Sequence, residues 1–577
     1  VPGSTTDPGV TAQCRDAGIT RGSYDEPMLA DLARARQMAF ASHEVEAHAL
    51  LMSLVPAIEK ADRDDWMAEV FAQVGEIYLV RTAYDQAAEC TRELAHQLDQ
   101  IAAALAGEPA SLDDLTLSES ELRAILDQYV AWARFLESGL AAARGDHEAA
   151  REALDALIAE PLPGRRSERR YLVATAHARC AAALCEDDRY AAAIPFWERV
   201  MEEVERMDAD DLWDDRLLVT AGLGYGSFCV ETGRLTEAEP WLRRAGARAE
   251  ARGWSLDISR AKLERGIARW RVGDLVNAEQ LLHDSYPAIA EHARAHDVSR
   301  VWYHRGLVRL AIGDLPAVEE SWDHAERHWR EIDKPLHVHR LLVQRSWIPI
   351  FRSQFAEAVE YVARARDVLE EWPRSTWVQY ARLDFQLGMV WRADALADLG
   401  FDTQGELAVY SSRPGSRKHQ RAMRKLEQAA DLIIPAALAV DAERNAITDS
   451  GARARWATSI SAPMYAGAFA IAHSWENTAL IAELIEHHSV RGAFEASNAD
   501  GGPVPGATDL PVAVLPEGPV STLTRQRPAV TLTRIGPAPE LQMDPGGQPI
   551  LRRYRELAVT RYGRTITTDE PVWRTWP

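Results

Sequence analysis

Three arginines, Arg260, Arg300 and Arg340, stand 40 residues apart, and a second set, Arg265, Arg305 and Arg345, keeps the same step. Guanidinium groups at equivalent points on successive helices would form a ladder for the carboxylates of an acidic ligand, because bidentate pairing of arginine with carboxylate is strong and directional. The same ladder also suits internal pairing with Asp and Glu of adjacent repeats, in a chain whose formal net charge is −22. Both readings stay open from the residues alone. Tyr303, Trp270 and Trp347 fall on or near the same inner face, where they serve either as aromatic anchors for a partner or as core. The second arginine set lies five residues further on, turned by about 140° on a helix, which points to a contact between repeats.

Other residue patterns carry less chemistry. Gly222-Leu-Gly-Tyr-Gly226 has the glycines of a dinucleotide loop, but it follows Arg216-Leu-Leu-Val-Thr inside a helical pattern, where glycines pack helices together. No Gly-x-x-x-x-Gly-Lys-Ser/Thr phosphate loop occurs. His292 with His296, and His324 with His328, are spaced to put two imidazoles on one helical face, yet they fall where polar groups suit a helix end. In His43-Glu-Val-Glu-Ala-His48 the second histidine is one residue too far along for a zinc-protease helix. The acidic run Asp208–Asp215 lacks the glycine of a calcium loop and suits a turn and a helix cap. No catalytic, cofactor-binding or metal-binding residue is expected.

What must position the arginines is a repeat. Turns open near Ser42, Thr82, Gly145, Asp188, Gly233, Gly273, Gly313 and Ser353. Five residues after each stands Ala47, Ala87, Ala150, Ala193, Ala238, Ala278, Val318 or Ala358, and seven before each stands Ala35, Gly75, Ser138, Ala181, Gly226, Gly266, Gly306 or Ser346. Small residues at both places let two helices of a hairpin cross closely. Gly467, Ser474 and Ala479 suggest the same spacing once more. This arrangement resembles the tetratricopeptide repeat, lengthened to a period near 40; Trp302 fits that family's large-residue slot and Lys262 does not. The resemblance implies an all-α fold, a right-handed α-solenoid of helical hairpins that binds a protein or peptide in a concave groove.

The expected organisation is an unstructured stretch at 1–24, about eight repeats over 25–400 with an insertion near 106–118, and an exposed basic loop at 401–421. Further hairpins follow at 422–497, with helix resuming at Ala422. Residues 498–577 read as a linker and a small irregular cap or docking segment, with short β-like runs and a helix near Ile550–Tyr562. Dispersed acidity and few clustered cations argue against nucleic acid or an anionic membrane as partner. The five scattered cysteines suggest reduced thiols, and neither a signal peptide nor a spanning apolar run is recognisable, so a cytoplasmic protein is expected.

The strings His304–Leu315 and Asp323–Trp329, with Arg455–Pro463 running on to Glu486, are similar to repeat arrays of actinobacterial proteins that carry a caspase-like CHAT protease. That resemblance implies protease-linked signalling or conflict. A protease site needs His and Cys, and no His follows His488 and no Cys follows Cys229. The expectation is therefore a non-enzymatic scaffold, sensor or adaptor, with any caspase-like protease supplied as a separate chain. The alternative is a regulator whose superhelix is switched by a small molecule or peptide.

Overall fold

The computed structural model describes residues 25–61, 63–106, 118–160, 165–207, 211–401, 412–446, 453, 456–492 and 550–566. The expectations for 1–24, for nearly all of the 106–118 insertion and for the β-like runs of the C-terminal segment fall outside these residues.

The described residues form helices and no β-sheet. In order they are α1 (Asp25–Phe40), α2 (Glu44–Ala61), α3 (Asp64–Val80), α4 (Tyr84–Leu105), α5 (Glu119–Arg144), α6 (His147–Ala159), α7 (Arg166–Glu186) and α8 (Tyr190–Glu205). Then come α9 (Leu212–Glu231), α10 (Leu235–Arg252), α11 (Ser255–Arg271), α12 (Leu275–Glu291), α13 (Ala295–Ile312), α14 (Leu315–Glu331), α15 (Pro335–Arg345), α16 (Trp347–Phe351) and α17 (Phe355–Glu371). The chain continues with α18 (Trp377–Leu399), α19 (Arg417–Ala442), α20 (Ala462–Ser474), α21 (Thr478–Gly492) and α22 (Arg552–Tyr562). Contacts sort the chain into two compact units. The first holds Val1–Phe228, Thr236–Arg265 and Asp284–Arg294; the second holds Cys229–Leu235, Gly266–His283 and Ala295–Pro577.

One turn recurs. Ser42, Thr82, Gly145, Asp188, Gly233, Gly273, Gly313 and Ser353 all have positive φ, from 58° to 81°. At each, the turn residue donates its N–H three residues back and its successor donates five back. Gly313 N–H to the Leu310 carbonyl (3.1 Å) and Asp314 N–H to Arg309 (3.0 Å) are one instance. This double closure satisfies carbonyls that the helix end leaves open. Gly253, Ala293 and Asp333 repeat it between hairpins, with φ of 71°, 51° and 49°. Caps begin the helices: Ser118 and Glu121 form a capping box at α5, and Asp314 accepts from Ala317 N–H at α14.

The small residues before and after each turn are buried where the two helices of a hairpin meet. A methyl added at Gly306 would lie 2.1 Å from Nε1 of Trp322, at Gly226 2.4 Å from Leu242, and at Gly266 3.1 Å from Leu282. Each large residue stands four places past the small residue of its second helix, so the pairs are one contact repeated. Within the second unit Ser346 interrupts α15 and α16, because Pro349 has no N–H to give the Arg345 carbonyl. Cys90, Cys180, Cys185 and Cys229 are buried thiols that form no disulfide.

Two boundaries differ from the sequence reading. Helix α19 starts at Arg417, inside the stretch read as loop, because Ser416 accepts a hydrogen bond from His419 N–H and caps it there. In the last hairpin the left-handed residue is Glu476 (φ 55°), not Ser474, whose hydroxyl bonds back to Ala470 within α20.

Gly306→Ala is expected to lose about 1–3 kcal/mol, the usual cost of overpacking. Combined with Trp322→Leu it should lose less than the sum of the two single changes. Urea denaturation of the four proteins of this cycle measures the coupling; strict additivity would mean that the two residues do not constrain each other.

Candidate functional site

The first unit builds its interior from charged and aromatic groups on its first helices. Arg36 on α1 bonds Glu69 (2.8 Å) and Glu76 (3.2 Å) on α3. Its guanidinium lies 4.4 Å from the ring of Trp132 and 5.1 Å from that of Trp213. Tyr129 donates to Glu69 (3.0 Å), Tyr171 to Glu76 (2.7 Å) and the Trp132 indole to Glu168 (2.7 Å). Arg170 bonds Asp214 (3.0 Å), and Arg216 bonds both Asp257 and the Phe40 carbonyl. Burial opposes the charge on Arg36 and on Glu69, but Glu69 and Glu76 together raise the arginine pKa, and Arg36 with Gln73 and Tyr129 lowers that of the carboxyl. Burial, then the neighbouring carboxylates, push Tyr129 and Tyr171 up, so both stay protonated donors.

Against this network opens a cleft of about 260 Å³ lined by Arg36, Arg179, Arg216 and Arg260, with Glu44, Glu76 and Tyr171. Four guanidiniums face two carboxylates. Five buried polar atoms on residues lining the cleft accept or donate no hydrogen bond within the protein: Gln73 Oε1, Thr175 Oγ1, Arg179 Nη1, Trp197 Nε1 and Thr220 Oγ1. Buried polar groups are costly unless satisfied, so these atoms are a concentrated energetic cost in the wall of the cleft. The α1–α2 turn closes over one side. His292 bonds the Ser42 carbonyl (3.1 Å), and Arg294 forms an ion pair with Glu44.

The second unit gathers Arg300, Arg340, Tyr303 and Trp270 about a group of histidines. The Tyr303 ring lies 5.0 Å from His304 and 5.5 Å from Trp329, and Trp270 lies 6.2 Å from His304. His337 stacks on Trp329 at 5.1 Å and meets His296 at 4.8 Å. Burial, then Arg300, lowers the His304 pKa to about 3, and burial raises Tyr303 to about 12. His337 is lowered by burial, then by His296, Arg340, Lys334 and Arg300. The roles of His304 and His337 were missed in the sequence, although both sit in the same helical strings as the arginines, and His296 was marked only for its spacing from His292.

Arg260 belongs to the first unit and is 3.8 Å from Asp257; Arg300 and Arg340 belong to the second and are partly buried. Trp270 and Trp347 are buried, 6% and 3% exposed, with Trp347 against Phe351. The second arginine set ties each first helix to the preceding second helix. Arg265 pairs with Glu239 (3.1 Å), Arg305 with Glu279 (3.3 Å), and Arg345 with Asp323 (2.6 Å) and Glu326 (3.2 Å).

The remaining motifs resolve into packing. Gly222, Gly224 and Gly226 lie inside α9 against Ala245, Trp197 and Leu242. His292 and His296 do not share a helical face: α12 ends at Glu291, Ala293 turns the chain with φ 51°, and His296 belongs to α13. His324 stacks on Trp302, and His48 bonds Tyr78. Asp214 and Asp215 pair with arginines, Asp215 with Arg248 and Arg252. No cluster of three or more metal-ligating side chains occurs among the described residues, and no helix there is long and apolar enough to cross a membrane.

The hairpin repeat defines the class: a tetratricopeptide-type helical repeat fold. No protein-family model and no curated protein sequence matches the chain. Among solved structures, a Rap protein complexed with competence and sporulation factor is similar over 73% of this chain and 99% of its own, at 12% identity and a TM-score of 0.42. The Rap conjugation gene regulator of the plasmid pLS20, in complex with the Phr* peptide, matches 63% of this chain and 96% of its own, at 15% identity and a TM-score of 0.37. The Cut9–Hcn1 hetero-tetramer of the APC/C matches 81% of this chain and 85% of its own, at 12% identity and a TM-score of 0.31.

Two measurements probe these interiors. Arg36→Met should destabilise by about 3–5 kcal/mol, because it leaves Glu69 and Glu76 buried without their cation; adding Glu69→Gln and Glu76→Gln should recover part of the loss in chemical denaturation. His304 takes a proton at about 6.5 when unfolded but at about 3 when folded. The unfolded chain therefore binds more protons between those values, and stability falls as pH drops from 6.5 towards 3. His304→Gln should flatten that slope in a series of denaturation midpoints against pH.

Proposed function

We propose that this chain is a non-catalytic scaffold that captures an acidic segment of a protein or peptide. The observation that carries this reading is the first unit's cleft, where Arg260 joins three other guanidiniums beside buried polar atoms that lack protein partners. Carboxylates of a bound segment would accept from those donors, and charge-assisted hydrogen bonds of this kind contribute about 1.5–3 kcal/mol each. Arg300, Arg340 and Tyr303 form a second set of contacts in the other unit. Trp270 is buried beside His304 and Trp347 against Phe351, so in this reading both serve as core rather than as contacts.

The partner in this proposal is a protein or peptide met in the cytoplasm, without nucleic acid or membrane. The resemblance to CHAT-associated arrays supports a caspase-like protease as that partner. A second reading is favoured by the α1–α2 turn over the cleft: a small molecule or peptide held there would tighten the hairpin onto His292 and Arg294, and the chain would act as a ligand-switched regulator.

Peptides selected from a display library on the full chain, then titrated calorimetrically, test the proposal. Arg260→Ala, and separately Arg300→Ala with Arg340→Ala, should each be compared with the parent chain. Two lost contacts predict at least about 100-fold weaker binding. Unchanged affinity in both variants would remove the arginine columns from recognition.

A further inference from the structure

We propose that the face of the second unit built by α18, α19 and α21 is a docking site for a basic amphipathic helix, that residues 550–566 occupy it in cis as a removable ligand, and that a partner helix of the same pattern displaces them. The segment is a short helix with one sticky stripe. Tyr554, Ala558 and Tyr562 recur every four residues on α22, and with Leu551 and Ile566 they are buried at 9% exposure or less. That spacing places them on one helical face, the pattern by which a helix is recognised in a groove.

Four of the segment's arginines meet an acceptor on the array, while Arg552 pairs with Glu556 of its own helix. Arg553 pairs with Glu427 (3.2 Å) and Asp431 (2.6 Å) of α19. Arg561 donates to the Asp431 carbonyl. Arg564 pairs with Glu443 and lies 4.7 Å from the Trp377 ring. Arg555 reaches His487 of α21 (3.3 Å), and Glu483 accepts the Leu551 N–H (2.6 Å). The specific lock is Tyr562, whose hydroxyl donates to Asp384 of α18 at 2.8 Å in a buried position. The receptor is acidic and the segment basic, so the pairing selects for sign as well as shape.

The contact is built for exchange. Arg553 and Arg564 are about half exposed, at 56% and 43%, and ion pairs of that kind hold weakly and are screened by salt. The receptor's two long helices also meet each other directly: at Gly388 of α18 an added methyl would lie 2.5 Å from Ile433 of α19. Residues 493–549 tether segment to face, so a free helix competes against a high local concentration. A competitor therefore succeeds when it binds more tightly or when the tether's own helix is weakened.

The test uses the full chain and a fluorescein-labelled peptide with the sequence of residues 550–566. Ala558→Asp with Tyr562→Ala should eject the segment, and the peptide should then bind at least tenfold more tightly than to the parent. Adding Glu427→Arg and Asp431→Arg to that variant should weaken binding at least tenfold. In the parent chain, hydrogen exchange at Tyr554–Tyr562 should be faster than at Ile433–Leu438, and faster still when salt rises from about 0.1 to about 0.5 M. Equal peptide binding by parent and variant, or protection of α22 matching that of α19, would overturn the proposal. Collapse of the second unit in the ejected variant would do the same, since the helix would then be part of the core.

Discussion

The hairpins closed at Gly226, Gly266 and Gly306 depend on a close crossing, in which a residue with no side chain faces a large one from the partner helix. Gly306 receives the Trp322 indole, Gly226 receives Leu242, and Gly266 receives Leu282. The left-handed turn seven residues later sets the angle and phase at which the second helix returns. The two features work together, because a shifted turn would bring a different residue opposite the glycine. Once crossing and turn are fixed, the faces that each hairpin turns inward are fixed too, and the chemistry of the interior follows.

That interior shows how an acidic chain handles cations. The net charge of −22 would favour pairing of any arginine with a nearby carboxylate, and most buried arginines follow that rule. Arg36, Arg170 and Arg216 each bond an acid about one repeat further on, while Arg265, Arg305 and Arg345 reach back to the preceding second helix. These bonds align consecutive hairpins, because a one-residue slip along a helix would turn a guanidinium by about 100° away from its partner. The cleft lined by Arg260 departs from full satisfaction only in the wall atoms of Gln73, Thr175, Arg179, Trp197 and Thr220, which lack a protein partner.

The turns were legible because they are local. Positive φ favours Gly, and Ser or Asp serve where glycine is absent, so eight turn residues could be aligned without any knowledge of packing. Thr82, a β-branched residue in the same conformation, was recovered from its spacing rather than its type. Pairing was less legible. Nothing in the string around Arg36 announces Glu69 and Glu76, since the choice depends on which faces two helices present. The aromatic and histidine group around Tyr303 was half seen: Tyr303, Trp270 and the arginines were marked, but no role was assigned to His304 or His337. Ser416 was a cap hidden inside a basic run. The contacts of α22 were out of reach, because its partners lie from 68 to 178 residues away along the chain.

The tie between the first hairpin and residues 292–294 bears on how the first unit comes to be made. Ser42 and Glu44 meet His292 and Arg294 across 250 residues of sequence. On the ribosome the early hairpins can form as they emerge, since their contacts are local, but this fastening must wait until about the three-hundredth residue has left the tunnel. During that interval the charged network around Arg36 lacks its outer closure. Loops of such length close slowly, so the nascent first unit is a natural client for chaperones that shield half-assembled surfaces.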